Sequence, residues 1–163
     1  MFARHFIDSL DFARHGRELQ GTVALAQMPR LQDLLTSLDG ELSYTMRGSQ
    51  DISGKPQLDL ALDGQCQLRC QRCLDNFTHT LHLDTRLLLV RGAEVDMESS
   101  MEDDPDRILA SDHLDVLELL EDEILLSLPI APKHLPGECG HETDRLIQSE
   151  RSPFAALSVL KRQ

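Results

Sequence analysis

The cysteines are the residues whose types and spacing are best suited to chemistry. Cys66, Cys70 and Cys73 lie within eight residues, and the fourth cysteine, Cys139, stands far along the chain with histidines close to it in sequence. The C-x-x-C spacing of Cys70 and Cys73 can bring two sulfurs to one metal ion or to each other. Zinc prefers four thiolate and imidazole ligands. The candidate zinc ligands are Cys70, Cys73, Cys139 and His134, with Cys66 or His141 as the alternative fourth ligand.

Two other interpretations of the cysteines remain open. A redox role for Cys70 and Cys73 would need a thiolate at a helix N-terminus, whereas the pair precedes Leu74 in a strand-to-turn context. The other interpretation is a group of thiols without metal in a tight turn. Zinc is therefore one candidate cofactor.

The motifs of common enzyme classes are absent from the sequence. It contains no glycine-rich nucleotide-binding loop, no Gly-x-Ser-x-Gly and no His-Glu-x-x-His. His79 and His82 fit the solvated face of a strand, and the acids of 102–104 fall in a predicted loop that cannot hold catalytic geometry. We therefore expect a protein that is not an enzyme and has no small-molecule substrate.

The negative charge is confined to one segment. Residues 94–123 contain thirteen acidic side chains and one basic side chain, Arg107, whereas the rest of the chain is neutral. A net charge of −12 repels phosphate backbones and attracts basic partners. The alternative is a solvated loop followed by the exposed face of a helix.

A small basic patch is predicted around the cysteines. Arg69, Arg72, Arg86 and Arg91 face only two acids in residues 65–91, and Phe77 is the one aromatic side chain near them. Arginines without stacking aromatics are weak evidence for direct RNA recognition. They nevertheless leave a second function open, a zinc-ribbon-like nucleic-acid-binding module in another pathway such as transcription.

Length and composition indicate a single domain over residues 1–163. The chain is 40% hydrophobic, and its longest wholly apolar run, 87–90, is too short to cross a membrane. The N-terminal residues have no apolar segment typical of a secretory signal. Three closely spaced cysteines are a poor disulfide framework. We therefore expect a reduced, acidic, cytoplasmic protein.

An α+β fold with an antiparallel sheet is predicted, and closure into a barrel is one form the sheet could take. Short β-type segments separated by turn signals fill residues 18–90. Asp63-Gly64 indicates a hairpin turn, and Met28–Leu38 a short helix or turn. The predicted strands are Glu18–Ala26, Glu41–Arg47, Pro56–Leu62, Gln65–Cys70 and Thr78–Val90.

The second half is predicted to contain a loop and two helices. Residues 92–113 are acidic and without period, which indicates a mobile loop. A helix is predicted over 115–128, with Asp115 as N-cap, a buried leucine and isoleucine stripe, and Glu118, Glu121 and Asp122 facing water. A short C-terminal helix over 152–161 begins at the Ser152-Pro153 step.

Four motifs, in order, resemble those of the YceD family, the bacterial large ribosomal RNA subunit accumulation proteins. They are Gly21-Thr22-Val23 with Pro29-Arg30-Leu31, the string Cys70-Gln71-Arg72-Cys73-Leu74 followed by Phe77, the acidic helix ending at Leu128-Pro129-Ile130-Ala131-Pro132, and the tail Ser152-Pro153-Phe154-Ala155-Ala156-Leu157.

This resemblance implies a ribosome-biogenesis factor that promotes synthesis, processing or accumulation of 23S ribosomal RNA, with no established catalytic activity. Its partners would be large-subunit ribosomal RNA, a basic ribosomal protein or a pre-ribosomal particle, and not a membrane. The surfaces expected to bind the partner are the turn with Arg72 and Phe77 and the tail with Pro153, Phe154 and Leu157.

Overall fold

The computed structural model describes residues 5–92 and 106–139. The predicted C-terminal helix over 152–161, with Pro153, Phe154 and Leu157, lies outside these residues. So do His141 and most of the predicted loop over 92–113. Within the described ranges, no helix is both long enough and apolar enough to span a bilayer.

The described residues form eight strands, two α-helices and two single 3₁₀ turns. The turns are Leu25–Gln27 and Pro29–Leu31. The strands and helices, in chain order, are β1 Phe6–Ile7, α1 Ser9–Arg14, β2 Glu18–Ala24, β3 Leu35–Ser37, β4 Glu41–Gln50, β5 Pro56–Arg69, β6 Asn76–Val90, β7 Asp106–Leu109, β8 Leu114–Asp115 and α2 Val116–Ser127.

The main sheet is open and mostly antiparallel. Its strand order is β2-β4-β5-β6-β7, with β3 pairing β5 beside this path, and a separate small sheet pairs β1 with β8. Only the pairing of β6 with β7 is parallel in these sheets. The structure is thus consistent with the predicted α+β class. The alternative in which the sheet closes into a barrel is wrong, because the two edge strands, β2 and β7, do not pair with each other. β7 also lies inside the segment predicted to be a loop.

β5 is one long strand, so the hairpin predicted at Asp63-Gly64 is wrong. The even-numbered positions from Leu58 through Cys66 to Leu68 stay on the core face on both sides of Gly64. A Cβ at Gly64 would lie 2.3 Å from Cδ2 of Leu42. This glycine therefore allows close packing inside a strand, which is its other common use besides a turn.

The region Met28–Leu38 is not one helix. It contains the Pro29–Leu31 turn and the strand β3, whose register with β5 shifts between Leu35 and Ser37. Met28 and Leu31 are fully buried, whereas Leu34 is half exposed. The leucines at helical spacing thus serve a compact turn and a strand edge.

Two helices cover the core side of the sheet. α1, which has no counterpart in the prediction, begins after its N-cap Asp8, whose side chain accepts the N–H of Asp11. α2 begins after Asp115, the predicted N-cap, whose carboxylate accepts the N–H of Leu117 at 3.0 Å. The apolar side chains of both helices belong to the same buried cluster as those of the sheet.

Glu121 does not face water as predicted. It is 4% exposed and accepts the backbone N–H of Arg30 at 2.6 Å and its Nε–H at 3.1 Å. Arg30 also pairs with Asp122. Two acidic side chains of α2, Glu121 and Asp122, therefore hold this helix against the Pro29–Leu31 turn through Arg30.

Candidate metal centre

Two loops meet at one end of the sheet to form the candidate site. The first is the β5–β6 turn, where the Cys70 N–H donates to the Asp75 carbonyl and the Leu74 N–H to the Cys70 carbonyl, each at 2.9 Å. The second is the chain after α2, which leaves the helix at its extended C-cap, Leu128. The Gln71 N–H joins the loops by donating to the Pro132 carbonyl at 2.8 Å.

Four predicted ligands converge between these loops. The ligand atoms of Cys70, Cys73, His134 and Cys139 all lie within 4.8 Å of one another. Sγ of Cys70 is 3.8 Å from Sγ of Cys139. Nδ1 of His134 is 3.3 Å from Sγ of Cys73 and 3.6 Å from Sγ of Cys139.

Cys66, one of the two alternative fourth ligands, is not in this cluster. It lies on the core face of β5 at 2% exposure, and burial raises the pKa of its thiol to about 11. The other alternative, His141, lies outside the described residues. Among the candidates that the structure describes, His134 is thus the one that joins the three cysteines.

The three thiols are shielded from solvent, and their surroundings shift the pKa values of Cys70 and Cys73 in opposite directions. Exposure is 0% for Cys70 and 7% for Cys73 and for Cys139. Burial opposes ionisation of Cys70, but N–H donors from the backbone of Cys73, His134 and Arg72 outweigh it and lower its pKa to about 5. Burial raises the pKa of Cys73 to about 11, and the neighbouring thiols add to the rise.

Arg72 and Phe77, predicted as partner-binding residues, support the cluster. The Arg72 Nε–H donates to Sγ of Cys139 at 3.0 Å, and its guanidinium also reaches the Leu135 carbonyl at 3.3 Å. The Phe77 ring packs on the cluster, with its centroid 4.9 Å from that of His134. Both side chains thus bind the second loop to the first.

Leu74 carries backbone strain at the end of the C-x-x-C turn. Its φ is +69°, the left-handed region that costs an L-residue about 1–2 kcal/mol. Its side chain is 56% exposed, so little apolar burial offsets this cost. Strain of this kind persists where surrounding contacts fix the chain, and such positions cluster at functional sites.

The four arginines near the cysteines do not form one patch. Arg69 lies opposite Asn76 at one end of β6, whereas Arg91 follows Val90 at the other end of this 15-residue strand. Arg86 pairs across the sheet with Asp59, with Nε and Oδ1 3.1 Å apart. The predicted basic patch is therefore wrong.

A cleft of about 490 Å³ opens beside the candidate metal centre. Leu34 and Leu68 line one part of it, and Pro129, Ile130 and Pro132 line another. Ile130 is fully exposed and Leu34 is half exposed. Sequence analysis missed this cleft because its walls come from three separate parts of the chain.

Comparisons with known proteins point to one family. Residues 58–161 match the model of a family described as "Large ribosomal RNA subunit accumulation protein YceD". A protein of Haemophilus influenzae with that same description is 23% identical over 173 aligned positions, which cover 96% of this chain and 95% of the relative. No solved structure shows a significant match. The matched range includes both loops of the candidate centre.

Proposed function

Because the chain belongs to the YceD family, we propose that it promotes the accumulation of large-subunit ribosomal RNA, and that it does so by binding rather than by catalysis. The observation that carries this proposal is the family match over residues 58–161. The relative from Haemophilus influenzae, which is named for large ribosomal RNA subunit accumulation, is similar over nearly the whole chain. The proposal concerns the 23S RNA of a large-subunit particle.

The burial of the candidate centre supports binding over catalysis. A nucleophilic thiol must reach its substrate, whereas Cys70, Cys73 and Cys139 are at most 7% exposed. Their sulfurs contact one another, His134 and Arg72. These groups therefore suit a structural role beneath a binding surface.

Charge favours a basic protein on an assembling particle over naked RNA. The chain carries a net charge of −12, which repels phosphate groups. Several arginines are already engaged within the fold: Arg17 with Asp11, Arg30 with Glu121 and Asp122, Arg86 with Asp59, and Arg72 with the cysteine cluster. Ribosomal proteins are mostly basic, so electrostatic attraction would speed the encounter.

The cleft beside the candidate centre supplies an apolar contact for such a partner. Its walls present Leu34 and Ile130 to solvent, and Asp33 and Arg69 also line the cleft. Exposed apolar side chains around a concave surface are typical of protein-binding sites. We place the partner's apolar anchor here, with the net negative charge steering its basic surface.

Affinity capture of the tagged full-length protein from cell lysate tests this proposal. We expect large-subunit ribosomal proteins, identified by mass spectrometry, to remain bound after ribonuclease treatment and to dissociate as salt is raised, because screening weakens charge attraction. Ile130→Asp should weaken capture about tenfold, as the loss of one apolar anchor does.

Ile52→Asp is the matched control, because Ile52 is as exposed as Ile130 but does not line the cleft. It should leave capture unchanged. Loss of every ribosomal protein after ribonuclease treatment would contradict the proposed partner and favour direct RNA binding. Equal effects of the two isoleucine variants would contradict the proposed surface.

A further inference from the structure

We propose that Cys70, Cys73, His134 and Cys139 bind one zinc ion, which cross-links the β5–β6 turn to the chain after α2. The proposal is independent of the ribosomal function, since it rests on the convergence of these four side chains. They come from positions up to 69 residues apart in sequence.

The spacing of the ligand atoms agrees with tetrahedral coordination. Zinc–sulfur bonds of about 2.3 Å and zinc–nitrogen bonds of about 2.0–2.1 Å place two sulfurs ~3.8 Å apart and a sulfur and a nitrogen ~3.5 Å apart. The sulfurs of Cys70 and Cys139 are 3.8 Å apart, and Nδ1 of His134 is 3.3 Å from Sγ of Cys73 and 3.6 Å from Sγ of Cys139. The other pairs of ligand atoms lie within 4.8 Å. These separations are therefore compatible with one zinc ion bonded to all four ligand atoms.

Neither a disulfide nor simple packing accounts for this arrangement as well. A disulfide needs sulfurs about 2.05 Å apart, whereas the four cysteines are free thiols. Thiols that merely fill a core need not aim three sulfurs and an imidazole nitrogen at one point. Cys66 shows the contrast, since it is equally buried on β5 and stands outside the cluster.

The surroundings provide what a zinc–thiolate centre requires. Three thiolates and one neutral imidazole around Zn²⁺ carry a net charge of −1, and the Arg72 guanidinium, 3.0 Å from Sγ of Cys139, balances it. The backbone N–H of Arg72 also donates to Sγ of Cys70 at 3.4 Å. The turn that carries Cys70 and Cys73 is closed by the hydrogen bond from the Leu74 N–H to the Cys70 carbonyl at 2.9 Å.

Ligand chemistry identifies the metal and its role. Three thiolates and an imidazole in tetrahedral array favour Zn²⁺ over the harder Mg²⁺, Ca²⁺ or Mn²⁺. With all four positions taken by protein side chains, no position remains for water or substrate, which is the pattern of structural zinc. The ion would fix Pro132, and with it one wall of the cleft, against the β5–β6 turn.

Metal analysis of the full-length protein tests the site. Protein purified without chelator should contain close to one zinc ion per chain, and Cys73→Ser and Cys139→Ser should lose it. Removing the ion with a chelator should lower the melting temperature by about 10 °C or more, because an ion that binds only the folded state stabilises it. Added zinc should restore the original melting temperature.

Two further variants keep the test decisive if a serine variant does not fold. Cys66→Ser changes an equally buried cysteine outside the cluster and should keep its zinc. His134→Cys should also keep zinc, and should shift the visible absorption bands of the cobalt-substituted protein, because a fourth sulfur replaces a nitrogen. Wild-type protein that contains no metal, and whose melting temperature is unchanged by chelator or by added zinc, would overturn the proposal. Loss of zinc from Cys66→Ser, with zinc retained in Cys73→Ser and Cys139→Ser, would also overturn it.

Discussion

Replacing Gly48 with alanine is expected to lower the free energy of unfolding by about 3 kcal/mol or more. A Cβ at this position of β4 would lie 2.3 Å from the Phe12 carbonyl oxygen and 2.6 Å from Cα of Ala13. These are backbone atoms of α1, so no side-chain rotation relieves the overlap. The Gly48 N–H also donates to the Arg17 carbonyl at 2.8 Å, which holds the chain after α1 against the same strand.

Thermal unfolding measures this effect, with Gly21→Ala as the control. Gly21 is a strand glycine on β2, where an added Cβ would meet only the Tyr44 side chain, at 3.2 Å or more. Its replacement should cost less than about 1 kcal/mol, since a side chain adjusts more easily than a helix backbone. Equal melting temperatures for the two variants would show that α1 does not lie on β4 as described.

Replacing Glu121 with alanine is expected to lower the free energy of unfolding by about 2 kcal/mol. The buried carboxylate accepts two hydrogen bonds from Arg30, at 2.6 Å from the backbone nitrogen and 3.1 Å from Nε. Its removal leaves the backbone N–H without this acceptor. The Arg30 side chain is 46% exposed, so water offsets part of the loss and the effect stays below that of a fully buried pair.

Glu118→Ala is the matched control for this variant. Glu118 lies one turn earlier on α2 and is exposed, so its loss should change stability by less than about 0.5 kcal/mol. Chemical denaturation of both variants gives the comparison. A Glu121→Ala protein as stable as Glu118→Ala would contradict the conclusion that the Glu121–Arg30 hydrogen bonds hold α2 against the Pro29–Leu31 turn.

The convergence of Cys70, Cys73, His134 and Cys139 could be predicted as one of several alternatives, because a C-x-x-C pair and a distant cysteine with histidines near it suit a metal site. What the sequence did not reveal is which alternatives to discard and what holds the ligands in place. Cys66 looks equivalent to Cys70 in sequence, but Cys66 lies inside β5 with its side chain on the core face, whereas Cys70 follows the last residue of this strand, Arg69. The contact of Arg72 with Cys139 spans 67 residues, and no local pattern indicates it.

The fold was predictable where one pattern dominates a segment. α2 follows from a capping aspartate and a leucine stripe, and its N-cap is the predicted one. Asp63-Gly64 misled because the same dipeptide suits a turn and a close approach between strands. The apolar residues at the even-numbered positions from Leu58 to Leu68, interrupted only by Gly64, were the stronger signal. β7, four residues in an acidic segment, depends on its parallel pairing with β6, which local sequence does not indicate.

We propose above that this chain promotes the accumulation of large-subunit ribosomal RNA. The most direct test is to delete its gene and measure the ratio of large- to small-subunit ribosomal RNA, with the ribosome profile, under fast growth and in the cold. We expect the ratio to fall and a plasmid copy of the wild-type gene to restore it. A normal ratio and a normal profile in the deletion strain under both conditions would contradict the claim.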